Sequence, residues 1–218
     1  MTVVPVAFQL ASWIPPWWRG TVGGDDILAL VGVDALSSVS HLRHTTVAVT
    51  AYCTDLGVGV LPGPKATTEA AVAAGEAVIL HAAAGAPAHM LVPEDGTWHL
   101  LVTDPTRPLD LDVDSADAGL AQAVVAAEHA LRAVGTSFSA SPRTATARPL
   151  PPDADPRRRG LLVRAVRLWT AVSALPASQR LPELAAVNQA AAHAALAAYC
   201  AQSVIPAPDS ARVRRKLA

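Results

Sequence analysis

Three short apolar runs, at residues 78–82, 88–92 and 98–102, are separated only by Gly85-Ala86-Pro87 and Pro93-Glu94-Asp95-Gly96. Gly, Pro and Asp provide the backbone angles that tight turns need. Connections this short join only antiparallel neighbours, because a parallel crossover needs about a dozen residues or more. The stretch 77–103 is therefore expected to be a β-meander. With turns centred on Gly85-Ala86 and Glu94-Asp95, residue 81 opposes 90 and residue 90 opposes 99. His81, Met90 and His99 then form one row across the three strands, a possible pocket wall. Leu80, Leu91 and Trp98 fall on the other face and belong to the core. A His-Met-His row suits a soft metal such as Cu(I). The competing reading is a sheet face covered by a helix, and no metal or cofactor is expected.

The 218 residues suit one large domain, or one domain with an appendage. A compact chain of this size buries roughly 70% of its unfolded surface without staples. Its 51% apolar content includes 46 alanines, which favour helix but bury little surface each. That points to closely packed helices or to a partner surface. Cys53 and Cys200 lie too far apart for a secreted disulfide framework and read as buried thiols of a reducing compartment. The N-terminus has no basic region ahead of an apolar run, and no long apolar stretch escapes polar interruption. The expected localisation is cytoplasmic.

Ahead of the meander, residues 2–10 read as a strand whose Pro5 favours a sheet edge. Trp13-Ile14-Pro15-Pro16-Trp17-Trp18 follows. Trp13, Trp17 and Trp18 are either interaction anchors or the cover of a core short of large side chains. Gly23-Gly24-Asp25-Asp26 opens a short helix and lacks the Lys-Ser/Thr of a phosphate loop. Residues 45–52 are β-branched and read as a strand. His41 and His44 just before it lack the further ligands of a metal site. Leu61-Pro62-Gly63-Pro64 is a stop signal, and residues 67–74 read as a helix capped by Thr67 or Thr68.

One run of residues resembles an uncharacterised family of actinobacterial hypothetical proteins. It comprises Leu61-Pro62-Gly63-Pro64, Glu69-Ala70-Ala71-Val72-Ala73-Ala74-Gly75-Glu76-Ala77-Val78, Leu91-Val92-Pro93 and Trp98-His99. The resemblance covers residues 48–200 and implies no activity.

After the meander, residues 109–114 alternate Leu and Val with Asp110, Asp112 and Asp114, as in a half-buried strand. A calcium loop is disfavoured: Ser115 replaces its turn glycine and Ala121 its bidentate glutamate. Leu120, Val124, Ala127, Leu131 and Val134 form one apolar stripe of a helix over 117–134. Residues 136–160 lose all periodicity and read as a Pro/Ser-rich linker. Residues 161–174 and 182–202 read as a helical hairpin too small to bury its own apolar face. Residues 203–218 read as a basic flexible tail. The expected organisation is an α+β domain over 1–135, a linker over 136–160, a hairpin over 161–202 docked on the first domain or on a partner, and a tail. The fold class is α+β, with a small antiparallel sheet containing the meander, packed helices and a C-terminal helical hairpin.

Net charge is split. Residues 1–142 hold 5 Lys/Arg against 14 Asp/Glu, and residues 143–218 hold 12 against 4. The basic part either docks on the acidic part or meets an anionic partner. Candidate anion-binding residues are Arg157, Arg158, Arg159, Arg164, Arg167, Arg214 and Arg215. Nucleic acid is not favoured, since Trp169 and Tyr199 are the only aromatics of residues 143–218. No nucleophile elbow, zinc-protease pair or cysteine signature is present. The expectation is a non-enzymatic interaction or assembly protein whose partner is another protein or a second copy of itself. The alternatives are a small-molecule enzyme or ligand-binding domain with a pocket beside the meander, and nucleic-acid binding through the basic part.

Overall fold

The computed structural model of the chain describes residues 4–31, 33–55, 57, 59, 61, 63–133, 149–175 and 181–200. The fold is α+β. In chain order the helices are α1 (Val6–Arg19), α2 (Gly24–Val31), α3 (Val33–Ser40), α4 (Lys65–Ala74), α5 (Val113–Ala133), α6 (Pro156–Ser173) and α7 (Pro182–Cys200). The strands are β1 (Thr46–Cys53), β2 (Glu76–Ala82), β3 (Ala88–Glu94) and β4 (Thr97–Thr103), paired antiparallel in the order β1-β2-β3-β4. None of the described helices is long and apolar enough to cross a membrane.

The sheet separates two cores of unequal size. On one face Val49, Ala51, Val78, Leu80, Leu91 and Trp98 pack with α1, α6 and α7, and that core takes in Phe8, Ile14, Leu161 and Tyr199. On the other face Ala77, Ile79, Met90 and Val92 pack under α4 through Ala71. Leu80, Leu91 and Trp98 share the larger core, as their alternation requires. A third cluster joins Ala127 of α5, Val172 of α6 and Leu184 and Val187 of α7. It completes a C-terminal helical pair, α6 against α7.

The segment expected as an edge strand is helix α1. A short, mostly apolar run cannot be assigned to strand or helix by its period alone. Here Pro5 occupies the N-cap instead of a sheet edge, and Glu76 of β2 accepts a 2.8 Å hydrogen bond from the Ala7 amide. A carboxylate there satisfies one unpaired N–H at the positive end of the helix. α1 runs on through Pro15 and Pro16 despite their missing amides. Burial of Phe8, Leu10, Ile14 and Trp18 offsets the lost bonds. Gly20, at φ 78°, closes the helix in the left-handed conformation.

Residues 109–114 are also not a strand. Their burial alternates as expected, with Leu111 and Val113 half-buried between exposed aspartates, but no neighbouring strand pairs with them. Asp112 instead starts α5, accepting the Ser115 amide at 2.8 Å. α4 begins at Lys65 and has no side-chain cap; the Thr67 hydroxyl bonds the Pro64 carbonyl. α6 begins at Pro156, with Asp155 accepting the Arg157 amide at 2.7 Å. The stretch before it lies on the protein: Leu150 and Ala154 enter the larger core, and Asp153 pairs with Arg19 at 3.3 Å. Residues 136–148 of the expected linker, and the tail 203–218, lie outside the described residues.

The meander is present with a different register. Ile79 opposes Met90, and Met90 opposes Leu101. Each turn centre lies one residue from the expected place, at Ala84-Gly85 and at Asp95-Gly96, which displaces every partner by two. Asp95 and Gly96 have φ of 48° and 80°, the mirror-image type I′ geometry that matches strand twist and that Asp-Gly favours. A shift of two keeps each side chain on its face.

Candidate functional site

The two outer edges of the sheet differ, and the β3–β4 turn shows which groups each presents. Glu94 and Thr97 flank the two-residue turn, and such a pair exchanges both its main-chain hydrogen bonds. Bonded and non-bonded pairs then alternate along the ladder. Thr97, His99, Leu101 and Thr103 therefore direct their peptide groups at β3. Trp98, Leu100 and Val102 direct theirs outward. Pro93 fits this alternation: it opposes Trp98, so the ladder loses no bond to its missing amide. Among the described residues, the main chain of Trp98, Leu100 and Val102 makes no hydrogen bond beyond the sheet. β4 contains no Lys, Pro or bulge, and Val102 is 63% exposed. Charge, proline and bulges are features by which sheet edges are ordinarily protected from pairing; β4 has none of these three, although α3 packs beside it.

The same alternation carried across the sheet turns the Ala51 peptide groups outward from β1, since Leu91 bonds Val78 and Val78 opposes Ala51. That edge is covered. The Cys200 thiol at the end of α7 lies at the Ala51 backbone; burial pushes it up to about 12, against the opposing pull of the Ala51 backbone and of Arg158. Gly59 presses so closely that a Cβ there would stand 2.6 Å from the Ala51 carbonyl oxygen, and its φ is +92°. Arg158 holds α7 in place, donating to the carbonyls of Ala198 at 2.8 Å and Tyr199 at 2.9 Å. A guanidinium on these last carbonyls satisfies them and complements the negative end of the helix.

His81, Met90 and His99 share a face, but the row they were expected to make is not formed. His81 opposes Ala48 and is fully buried, and the Thr50 hydroxyl meets its Nε2 at 2.7 Å. Nδ1 makes no hydrogen bond among the described residues. Burial lowers the ring to about pKa 4, opposed weakly by the Thr106 backbone. Met90 is buried beneath α4, and His99, exposed, opposes Val92 and bonds Thr97 at 2.9 Å. No three His, Cys, Asp or Glu side chains gather as metal ligands among the described residues. A groove of about 590 Å³ lies instead between α5 and α7, with Leu109, Leu120 and Leu196 in its wall and Ser115, Gln189 and His193 as its polar groups.

Of the tryptophans, Trp18 is buried, while Trp13 and Trp17 are half-buried against the larger core. Trp13 donates to the Pro149 carbonyl at 3.0 Å, and Trp17 stacks on Trp18. Of the arginines, Arg157 reaches Asp114 at 3.5 Å, Arg164 reaches Asp117 at 2.6 Å, and Arg159 bonds the Pro152 carbonyl. With Arg158, which donates to the last carbonyls of α7, these four contact the chain's own groups. Arg167 is exposed, and Arg214 and Arg215 lie outside the described residues.

Sequence reasoning missed the β4 edge, although Asp95-Gly96 was its signal: that dipeptide sets the register, and the register sets which peptide groups face outward. It missed Arg158 as a helix cap because the partner carbonyls lie about forty residues away. No family model, curated protein or solved structure matches the chain, so the resemblance to an actinobacterial family finds no support there.

Proposed function

We propose that this chain is a non-catalytic interaction protein that receives an extended segment of another polypeptide along β4. The observation that carries this reading is the outward-facing main chain of Trp98, Leu100 and Val102, on a strand without charge, proline or bulge. Strand addition takes its affinity from main-chain hydrogen bonds and its selectivity from alternate side chains. Trp98 and Leu100 pack on the larger core, and Val102, alternating onto the same face of the strand, is an exposed apolar contact at the rim.

Four valines exposed among the described residues, Val72, Val102, Val125 and Val163, make an internal control. A photoreactive amino acid placed at each in turn, in cells of the native host, is expected to cross-link a discrete partner segment from position 102 only. Equal labelling from all four positions overturns the reading. A second reading, small-ligand binding, is favoured by the groove between α5 and α7. It predicts that a bound compound raises the thermal midpoint and that Gln189→Ala and His193→Ala abolish the rise.

A further inference from the structure

A proline-rich segment of the chain itself, Pro149-Leu150-Pro151-Pro152-Asp153-Ala154, lies on the tryptophan face of α1. The Trp13 indole donates to the Pro149 carbonyl at 3.0 Å. At the other end of α1 the Arg19 guanidinium pairs with the Asp153 carboxylate at 3.3 Å, and the Thr21 hydroxyl just beyond donates to the same oxygen at 3.3 Å. The helix rises about 9 Å between Trp13 and Arg19, so residues 149–153 lie along it. Leu150 and Ala154 enter the larger core beneath. Among the described residues no main-chain hydrogen bond joins this segment to α1. An indole N–H, an ion pair and apolar contact hold it, as they would hold a ligand. We propose that this face of α1 is a receptor for proline-rich segments, occupied in cis by residues 149–154, and that a proline-rich, acidic segment of another protein exchanges with them.

Proline suits such a site physically. Its fixed φ leaves little freedom to lose on docking, and proline-rich segments bind aromatic-lined surfaces for that reason. Trp13 supplies the ring and also an N–H that needs an acceptor, which the Pro149 carbonyl provides. Asp153 is the second determinant. The side chains of Arg19 and Asp153 are each 38% exposed, so the pair lies within reach of another carboxylate, and a guanidinium reads a carboxylate by shape as well as charge. The signature of the partner is therefore proline, apolar, proline, proline, acidic. Filling the core explains the burial of Leu150 and Ala154 alone. The exposed hydrogen bonds from Trp13, Arg19 and Thr21 are the part that selects a sequence. The segment in cis competes at an effective concentration on the order of millimolar, so the chain takes up a free segment weakly until the cis contact is loosened. This surface is separate from β4, and the inference stands without strand addition there.

The test titrates the full chain against a fluorescein-labelled peptide of residues 149–154, blocked at both ends, and reads fluorescence anisotropy. The unaltered chain is expected to bind the peptide weakly. Asp153→Ala loosens the segment in cis and frees Arg19 for the aspartate of the peptide, so binding should tighten at least ~5-fold. In that background Trp13→Phe, which keeps an aromatic ring and removes the N–H, should weaken binding at least ~5-fold, as should Arg19→Ala. A peptide carrying Asp153→Asn should bind the loosened chain as poorly as the unaltered peptide binds the Arg19→Ala chain. An unchanged thermal midpoint checks that each variant keeps its fold. Should Asp153→Ala lower the midpoint, Thr21→Val loosens the same contact and takes its place. Failure of the peptide to bind the loosened chain more tightly, or binding indifferent to either Trp13→Phe or Arg19→Ala, overturns the proposal.

Discussion

The two edges of one sheet show how differently a protein can treat the same row of unpaired peptide groups. At β1 the outward groups of Ala51 are covered by Gly59 and by the buried Cys200, with Arg158 fastening the end of α7 above them. At β4 nothing among the described residues bonds Trp98, Leu100 or Val102 outside the sheet. The difference is one of chain length between elements. β1 is met by segments far away in sequence, which folding returns to it, whereas β4 leads straight into the extended residues 104–112 that carry the chain off toward α5. An edge whose outward main-chain groups are unbonded therefore marks a surface where a second polypeptide has hydrogen bonds to gain.

The comparison breaks most readily at Arg158. Arg158→Ala removes the guanidinium that donates to the Ala198 and Tyr199 carbonyls and ties the end of α7 to α6. A loss of about 3 kcal/mol in urea unfolding is expected. A loss of comparable size should follow acidification, through His81 at the end of the sheet. Its folded pKa, about 4, lies below the ordinary 6.5, so between these values the unfolded chain binds more protons. Stability is then fully present above about pH 6.5 and falls toward pH 4, by about 3 kcal/mol in all. His89, also lowered by burial and by His41, adds to the same slope. His81→Gln should flatten most of it, as read from unfolding midpoints across that range.

Glycine substitutions sharpen the contrast between the edges. Gly59→Ala drives a Cβ into the Ala51 carbonyl at 2.6 Å and should cost about 2 kcal/mol. Gly96→Ala, at the turn into β4, meets nothing within 4 Å and should cost only its backbone strain, about 1 kcal/mol. Thermal unfolding of the pair measures the difference. The smallest effect is expected at the open edge: Val102→Lys should alter monomer stability by less than about 0.5 kcal/mol. A larger loss would show that the β4 rim is packed within the monomer.

Much of the fold was legible because it is written locally. Turn residues marked the three strands of the meander, the Leu120–Ala127 stripe marked α5, and Pro182 marked the start of α7. Failures came where local signals were ambiguous or complete only in three dimensions. The run into Trp13 is short and mostly apolar, so its few polar residues did not reveal a helix, and the Glu76 carboxylate that receives its first turn lies about seventy residues away. The alternation at 109–114 was real in burial but had no strand beside it. The candidate histidine row failed by one residue in each turn, because the left-handed geometry of Asp95-Gly96 selects a single register.

The sequence by itself determined the antiparallel meander, the faces of its side chains and the helices of the C-terminal part, since these follow from turn chemistry and from periodicity over a few residues. Only the tertiary structure decided that His81 is buried and His99 exposed, and that four arginines of the basic part bond the chain's own carboxylates and carbonyls. It alone decided that the outward groups of Ala51 on β1 are covered while those of Trp98, Leu100 and Val102 on β4 are unbonded among the described residues. These depend on contacts between residues far apart in sequence, whose closeness is set by how helices pack on the sheet and leaves no periodic trace in the chain.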